Sequence, residues 1–252
     1  MALLRWSLSL ALTALLLVPA PAPAQSDDGL SVLVYSHTNG FRHAAIPDGI
    51  EAFQSLGEAH GWTVEATEDS TVFRPDRLAE VDVVVFLNTT GDAVGPEGQK
   101  ALRAFVEDGG GYVGVHSAAD TEYDWPWYGR LVGAYFEGHP RVQEATVRVE
   151  DAAHPSTRML PAEWLRRDEW YNYRESPRGD VRVLLSLDES TYEGGTMGGD
   201  HPIAWCHAVG EGRSWYTGLG HTPESYTDEP FRAHLVGGVR WAAKAAAPSG
   251  TE

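Results

Sequence analysis

The sequence predicts a doubly wound α/β fold with a mainly parallel sheet, and three observations predict it. Short apolar runs alternate with helical segments through the first half of the chain. The runs are apolar throughout, as is typical of parallel strands that are buried on both faces. Polar clusters follow several of the runs, at the carboxyl ends of strands, where sheets of this kind bind their ligands.

Four strands and two helices are predicted in the first half. Proline stands in the first turn of each helix, where its missing N–H costs little, and glycine follows each helix end. This alternation predicts a flavodoxin-like parallel sheet between Leu30 and Ser117, with helices on both faces. The predicted strands are Leu30–Tyr35, Trp62–Ala66, Val81–Leu87 and Tyr112–Val115, and the predicted helices are Pro47–His60 and Pro96–Glu107.

The second half is less regular. Its pattern predicts a hairpin between the last two strands, across the turn at 209–213. No internal repeat and no linker divides the sequence, so residues 25–245 are expected to form a single domain, followed by a frayed tail at 246–252. The predicted helices are Trp125–Phe136 and Glu229–Ala243, and the predicted strands are Ala145–Val149, Val181–Leu187, Ile203–Ala208 and Ser214–Thr217.

Residues 1–24 have the pattern of a secretory signal peptide. Arg5 precedes the apolar run Trp6–Val18, and Ala22-Pro23-Ala24 fits a cleavage site of small residues. The run is shorter than the roughly 20 residues that a membrane span needs. We expect an exported, periplasmic or secreted chain that begins near Gln25 and has no membrane insertion after cleavage. The single cysteine, Cys206, allows no internal disulfide and is expected to be a buried apolar residue.

The charge of the chain disfavours some partners. The whole chain has a net charge of −17, and loss of Arg5 with the signal segment makes it −18. Such a negative protein is a poor match for nucleic acid and for anionic membranes. Nine tryptophans and ten tyrosines offer aromatic faces for sugar rings, although aromatic residues also fill cores. A small carbohydrate is the expected partner, and the oligomeric state stays open.

Four polar clusters lie where predicted strands end, at 36–43, 88–92, 116–120 and 218–221. The third follows a glycine-rich loop and an apolar strand, as at a nucleophile elbow, but His116 is at the tip and Ser117 follows it. Ser117 either serves the site or caps a helix. We expect six side chains to converge on one cleft because strand ends share an edge of the sheet: His37, His43, Asn88, His116, Glu169 and His221.

Together these motifs resemble the ThuA-like, or trehalose-utilisation, family. The residues that carry the resemblance are Gly40–His43, Gly109–Ala118, Asp168–Tyr171, His201–Trp205 and Gly212–His221. The resemblance implies a class I glutamine amidotransferase-like fold, in which a cysteine stands at the elbow and a His-Pro-Glu motif comes late. Here His116 replaces the cysteine and one residue is inserted in the late motif, so amidotransferase activity is not expected. The family is associated with trehalose-type disaccharides and their 3-keto derivatives.

The candidate residues form two groups. Glu169 and His221 are expected to move protons and His116 to orient the substrate, although Glu169 alternatively pairs with a neighbouring arginine (Arg166, Arg167 or Arg174). No cofactor is predicted, because metal-binding spacings such as HExxH are missing, yet His37 and His43 leave a divalent metal open. His60, His154 and His234 are expected to be solvated. The candidate substrate-binding residues are His37, Arg42, His43, Asn88, Ser117, Tyr123, Trp125 and Tyr171.

The sequence leaves three functions open. The first is a lyase, isomerase or hydrolase that acts on a sugar or keto-sugar by acid/base chemistry. A keto-sugar has acidic α-hydrogens, so elimination or isomerisation needs only a placed base and a group that stabilises the oxyanion. The second is a sugar-binding protein without turnover, and the third is a hydrolase that depends on Ser117.

Overall fold

The computed structural model describes residues 29–244, which contain a nine-stranded sheet, a two-stranded sheet and flanking helices. The predicted signal peptide and the predicted tail lie outside these residues, as do positions 25–28 and 245 of the predicted domain. The strands are β1 (Ser31–Tyr35), β2 (Thr63–Thr67), β3 (Val83–Leu87), β4 (Gly111–Val115), β5 (Phe136–Gly138), β6 (Gln143–Val149), β7 (Glu163–Asp168), β8 (Asn172–Tyr173), β9 (Arg182–Leu187), β10 (His201–Val209) and β11 (Gly212–Thr217). The helices are α1 (Ile46–His60), α2 (Pro75–Leu78), α3 (Pro96–Glu107), α4 (Pro126–Val132) and α5 (Glu229–Ala242).

One half of the large sheet is parallel, in the order β2-β1-β3-β4-β11. This is the flavodoxin-like strand order, with β11 in the fifth position. All residues of β3 and β4 are buried, as the continuous apolar runs predicted. Helix α1 packs against β2 and β3, and α5 packs against β4 and β11. The predicted α/β fold is confirmed.

The other half is antiparallel and continues the sheet in the order β10-β9-β6-β7. The predicted hairpin is present, with β10 paired to β11. Strand β7, at the outer edge, was not predicted because charged residues interrupt its apolar pattern. Its side chains are alternately exposed and buried, and two of the buried ones are Arg166 and Asp168.

The antiparallel half curves back over the carboxyl ends of the parallel strands. Although β7 lies at the far edge of the sheet, Asp168 accepts hydrogen bonds from the backbone N–H groups of Gly220 and His221, just beyond β11. Arg166 forms an ion pair with Asp228, at the start of α5. The curvature brings the end of β7 to the polar loops that follow β1, β4 and β11.

Several local predictions need correction. The helix expected at Trp125–Phe136 ends at Val132, because Gly133 has a φ of +96° and reverses the chain. His154 and His234 are 1% and 0% exposed and belong to the core, whereas they were expected to be solvated. Cys206 is buried as expected. Within residues 29–244, no helix combines the length and apolar character that crossing a membrane requires.

Candidate active site

Four side chains from four separate loops converge at the carboxyl edge of the parallel strands. His43 precedes α1, His116 follows β4, Glu169 follows β7 and His221 lies four residues beyond β11. Each offers one nitrogen or oxygen atom, and these four atoms lie within 4.8 Å of one another. His43, His116 and Glu169 are buried, while His221 is partly exposed. The structure therefore brings four of the six expected residues together as a compact donor group.

Three atoms of the group lie within 3.4 Å of one another. The Nε2 atom of His116 lies 3.1 Å from Nδ1 of His221 and 3.4 Å from Oε2 of Glu169. The same Nδ1 atom of His221 lies 3.0 Å from Oε2 of Glu169. Either protons or a cation must lie among three such atoms, because each of them otherwise presents a lone pair to the other two.

The turn after β4 fixes the orientation of His116. His116 has a φ of +50°, a strained value for a residue with a side chain. Its Nδ1 atom lies 2.9 Å from the carbonyl oxygen of Gly218, so this nitrogen carries a proton and donates it. Nε2 is thereby directed at the group. Gly218 can approach because it lacks a Cβ, which would lie 2.5 Å from the hydroxyl of Tyr173.

Glu169 contacts histidines and none of the neighbouring arginines that were considered for it. Its Oε1 atom lies 3.0 Å from Nδ1 of His139, which also lies 2.9 Å from the carbonyl oxygen of Pro140. Both partners are acceptors, so Nδ1 of His139 carries a proton. Burial alone would raise the pKa of Glu169, but hydrogen bonds from His116 and His221 outweigh burial and hold this pKa well below its usual range.

Asp168 positions the loop that carries His221, a role that the sequence did not reveal. Its side chain is 0% exposed. Oδ1 accepts from the backbone N–H groups of Glu169 and His221, both at 3.0 Å, and Oδ2 accepts from that of Gly220 at 2.9 Å. Arg166 lies 3.3 Å from the same Oδ2 atom. One buried carboxylate thus joins the end of β7 to the loop after β11.

His43, in the loop between β1 and α1, is the fourth member of the group. Its Nδ1 atom lies 3.2 Å from the hydroxyl of Ser117, and its ring meets those of His116 and His221 edge to face. Burial and the nearby histidines hold the pKa of His43 well below its ordinary value, so the ring is neutral. Ser117 forms no side-chain cap on the short helical turn His116–Asp120, so the capping alternative is not confirmed.

Phe41, in the motif Gly40–His43, is an exposed aromatic residue beside this group. Its ring lies 4.9 Å from that of His43, edge to face, and the residue is 67% exposed. Few large apolar residues of the described chain are so exposed. An exposed aromatic ring next to buried polar donors is suited to stacking on a ligand.

Asn88 and Tyr171 also border the group. Asn88 has a φ of +50°, and its Nδ2 atom donates to the carbonyl oxygen of Gly220. Tyr171 is 2% exposed, and its ring centroid lies 4.1 Å from that of His116 and 4.3 Å from that of Phe136. Tyr171 therefore supports His116 and offers no open ring face.

Four other candidates have contacts elsewhere. His37 lies 3.0 Å from the carbonyl oxygen of Glu68, and Arg42 forms a two-pronged ion pair with the carboxylate of that residue. Tyr123 donates to Asp120 and lies under Arg174, while Trp125 is half-buried against other aromatic rings. The expected convergence therefore does not extend to His37. The structure gives no contact between Arg42, Tyr123 or Trp125 and the donor group.

Two further cavities lie away from this group. One has a volume of about 730 Å³ and is bordered by Trp127, Arg174 and His207. The other, of about 420 Å³, is bordered by Met159 and Trp241. None of the four donor residues lines either cavity. Within residues 29–244, the group whose histidine and carboxylate donor atoms converge is that of His43, His116, Glu169 and His221, so the chemistry points to this group.

The comparisons with known proteins agree with this architecture. The model of the ThuA family, described as trehalose utilisation, matches residues 31–242. The chain belongs to the ThuA family. This match covers every element from β1 to α5, including all four donor residues. Among proteins of curated function, none matches the chain.

Solved structures show the same fold. A ThuA-like protein from Bacteroides uniformis is 29% identical, with a TM-score of 0.74, and the match covers 89% of this chain and 95% of that one. A ThuA-like protein from Parabacteroides merdae is 20% identical, with a TM-score of 0.73 over 88% of this chain and 92% of that one. Part of a β-galactosidase from Bacillus circulans shares the fold alone, at 14% identity and a TM-score of 0.57, over 87% of this chain and 32% of that one.

Proposed function

We propose that this chain is an enzyme that acts on a sugar or keto-sugar of the trehalose-like glycoside class, by acid/base chemistry in the group of His43, His116, Glu169 and His221. The observation that carries the proposal is the convergence of three imidazoles and one carboxylate at the carboxyl edge of the sheet. Membership of the ThuA family supports the substrate class.

The group contains the proton donors and acceptors that such chemistry needs. Glu169 and His221 are in direct contact, so a proton taken from substrate by one can be shared with the other. His139 carries a proton on Nδ1 next to the second oxygen of Glu169 and is 42% exposed. His139 therefore connects the buried carboxylate of Glu169 to solvent. Imidazoles paired with a buried carboxylate, with a proton path to solvent, are suited to removing the acidic α-hydrogen of a keto-sugar.

The open side of the group indicates where the substrate enters. His221 is the partly exposed member of the group, His139 beside it is 42% exposed, and Phe41 lies on the same loop as His43. A pyranose ring that stacks on Phe41 would place its hydroxyl or keto carbon near His43 and His221. We further propose that this happens outside the cytoplasm, where a signal peptide at 1–24 would direct the chain.

The test is to incubate the purified protein with a panel of disaccharides and their 3-keto forms and to follow the products by mass spectrometry. We expect turnover by the wild type, and a fall of at least a hundredfold in kcat for Glu169→Gln, which keeps the side-chain size and removes the carboxylate charge that pairs with His116 and His221. His207→Gln is the matched control. His207 contacts the carbonyl oxygen of Arg130 near the larger cavity, so this variant should keep wild-type turnover.

The same experiment separates the rivals. A sugar-binding protein would bind members of the panel, as measured by calorimetry, without converting any. The contact between the Ser117 hydroxyl and His43 is the one observation that favours a serine hydrolase. That function would require labelling of Ser117 by an active-serine reagent and loss of turnover in Ser117→Ala. We expect neither, because Ser117 is fully buried and lies one residue beyond the tip of the turn.

A further inference from the structure

We propose that His43, His116, Glu169 and His221 bind one divalent transition-metal ion of the zinc class. The inference deepens the proposed function by naming the cofactor of the same site, but metal binding itself does not depend on the identity of the sugar. It stands on the distances, the type of donor atoms and the contacts that orient each donor.

The distances between donor atoms match those around a four-coordinate metal. Zinc binds imidazole nitrogen at roughly 2.0–2.1 Å, so two ligand atoms of a tetrahedral site lie about 3.3 Å apart. The three distances that join His116 Nε2, His221 Nδ1 and Glu169 Oε2 are 3.0, 3.1 and 3.4 Å. His43 completes a group of four atoms that all lie within 4.8 Å. An ion can therefore be accommodated with small movements of the side chains.

The donor set selects the class of metal. Three imidazoles and one carboxylate suit zinc and its neighbours in the first transition row, whereas magnesium and calcium prefer sites made of oxygen atoms. The imidazoles must present a lone pair to bind. Nδ1 of His116 donates to the carbonyl oxygen of Gly218, which leaves its Nε2 for the metal.

Each donor is also oriented by a second contact, as metal ligands characteristically are. His116 is held by the carbonyl oxygen of Gly218, and Glu169 accepts at Oε1 from His139 while Oε2 faces the group. His43 is held by the hydroxyl of Ser117. The backbone of His221 is held by Asp168. Such outer contacts reduce the entropy that ligands lose when the metal binds.

A metal at this position assigns different tasks to the site residues. Protons that His116 and His221 share with Glu169 in the metal-free protein would be released when the metal binds. Glu169 and His221 would then act as ligands, and a bound metal that accepts a substrate carbonyl or hydroxyl as a fifth ligand would supply a Lewis acid. His139, which is not among the four donors, would remain as the group that carries a proton near the substrate.

The experiment uses the mature chain without a histidine tag, stripped by a chelator and dialysed. Zinc chloride is titrated into it by isothermal calorimetry, and the metal content after desalting is measured by plasma mass spectrometry. Magnesium chloride serves as the oxygen-preferring comparison. The variants are Glu169→Gln and His221→Ala, with His207→Gln as the matched control and circular dichroism as the check of folding.

We expect one zinc ion per chain in the wild type and in His207→Gln, and no heat of binding from magnesium. Zinc affinity should fall at least a hundredfold in both ligand variants while their folding is kept. Stoichiometric zinc binding that survives in both variants would place the ion elsewhere and overturn the proposal, as would the lack of any zinc binding to the wild type. Sugar turnover that persists in the chelator-treated protein would overturn the metal's role and leave the proposed function standing. Zinc binding without turnover of any sugar would overturn the proposed function and leave the metal site standing.

Discussion

Replacement of Asp168 by asparagine should destabilise the protein and disturb the donor group together. Asp168 is fully buried, and its two oxygens accept three backbone N–H groups, from Glu169, Gly220 and His221. Asparagine keeps the shape but has one oxygen and one NH2 group. Whichever way the amide faces, at least one backbone N–H meets another donor.

The magnitude follows from these contacts. A buried donor left without an acceptor costs about 1–3 kcal/mol, and Asp168→Asn also removes the charge that faces Arg166 at 3.3 Å. Arg166 keeps its ion pair with Asp228 at 2.7 Å, which limits the electrostatic loss. The free energy of unfolding should therefore fall by about 2–4 kcal/mol. Zinc affinity should fall about 10- to 100-fold, because Asp168 orients a ligand without being one.

Urea unfolding followed by tryptophan fluorescence measures the stability, and calorimetry measures the zinc affinity. Asp228→Asn is the matched control, since it removes the other partner of Arg166 at a more exposed position, where ion pairs contribute about 1 kcal/mol or less. If Asp168→Asn changed the unfolding free energy by less than about 0.5 kcal/mol and left zinc affinity unaltered, the structural link between β7 and His221 would be refuted.

Three further predictions concern the substrate, the turn and the core. Phe41→Ala should raise KM for the sugar about tenfold with little change in kcat, because it removes an exposed stacking face that contributes roughly 1.4 kcal/mol to binding. An unchanged KM in steady-state kinetics would exclude the stacking role. Gly218→Ala should abolish turnover, because the added Cβ would lie 2.5 Å from the hydroxyl of Tyr173 and displace the carbonyl group that holds His116. Wild-type rates from a folded variant would contradict this prediction. Burial lowers the pKa of His234 to about 3, so the neutral ring stabilises the fold at pH 7, and this contribution is lost as the pH falls below the unfolded value of about 6.5. Between pH 7 and pH 5 the unfolding free energy of the wild type should fall by about 2 kcal/mol more than that of His234→Gln, and equal slopes in urea unfolding would show that His234 is not the cause.

The parallel half of the fold could be predicted because its strands are buried on both faces and are therefore apolar throughout. The same regularity located His116 and His221, since each lies just after a predicted strand. The sequence also singled out His43 and Asn88 by their place in polar loops. These residues could be placed because a residue that follows a parallel strand in the sequence also lies at the carboxyl edge of the sheet.

The contribution of β7 could not be predicted from the local pattern. Its buried polar residues, Arg166 and Asp168, have partners 62 and 52 residues away in sequence, and the pairing depends on how the antiparallel strands curve. Glu169 was chosen as an acid among aromatic residues, but its actual partners, which include His139, follow from that curvature. His154 and His234 were misjudged for a related reason, since neutral imidazoles that satisfy both nitrogens fit into a core.

The central claim is that four side chains from four loops form one reactive metal centre. The most direct measurement is an anomalous difference map, recorded at the zinc absorption edge, from crystals of the full mature chain grown with one equivalent of zinc. We expect a single strong peak within about 2.0–2.2 Å of one donor atom each of His43, His116, Glu169 and His221. A peak at any other place, or a donor group that remains without one, would contradict it.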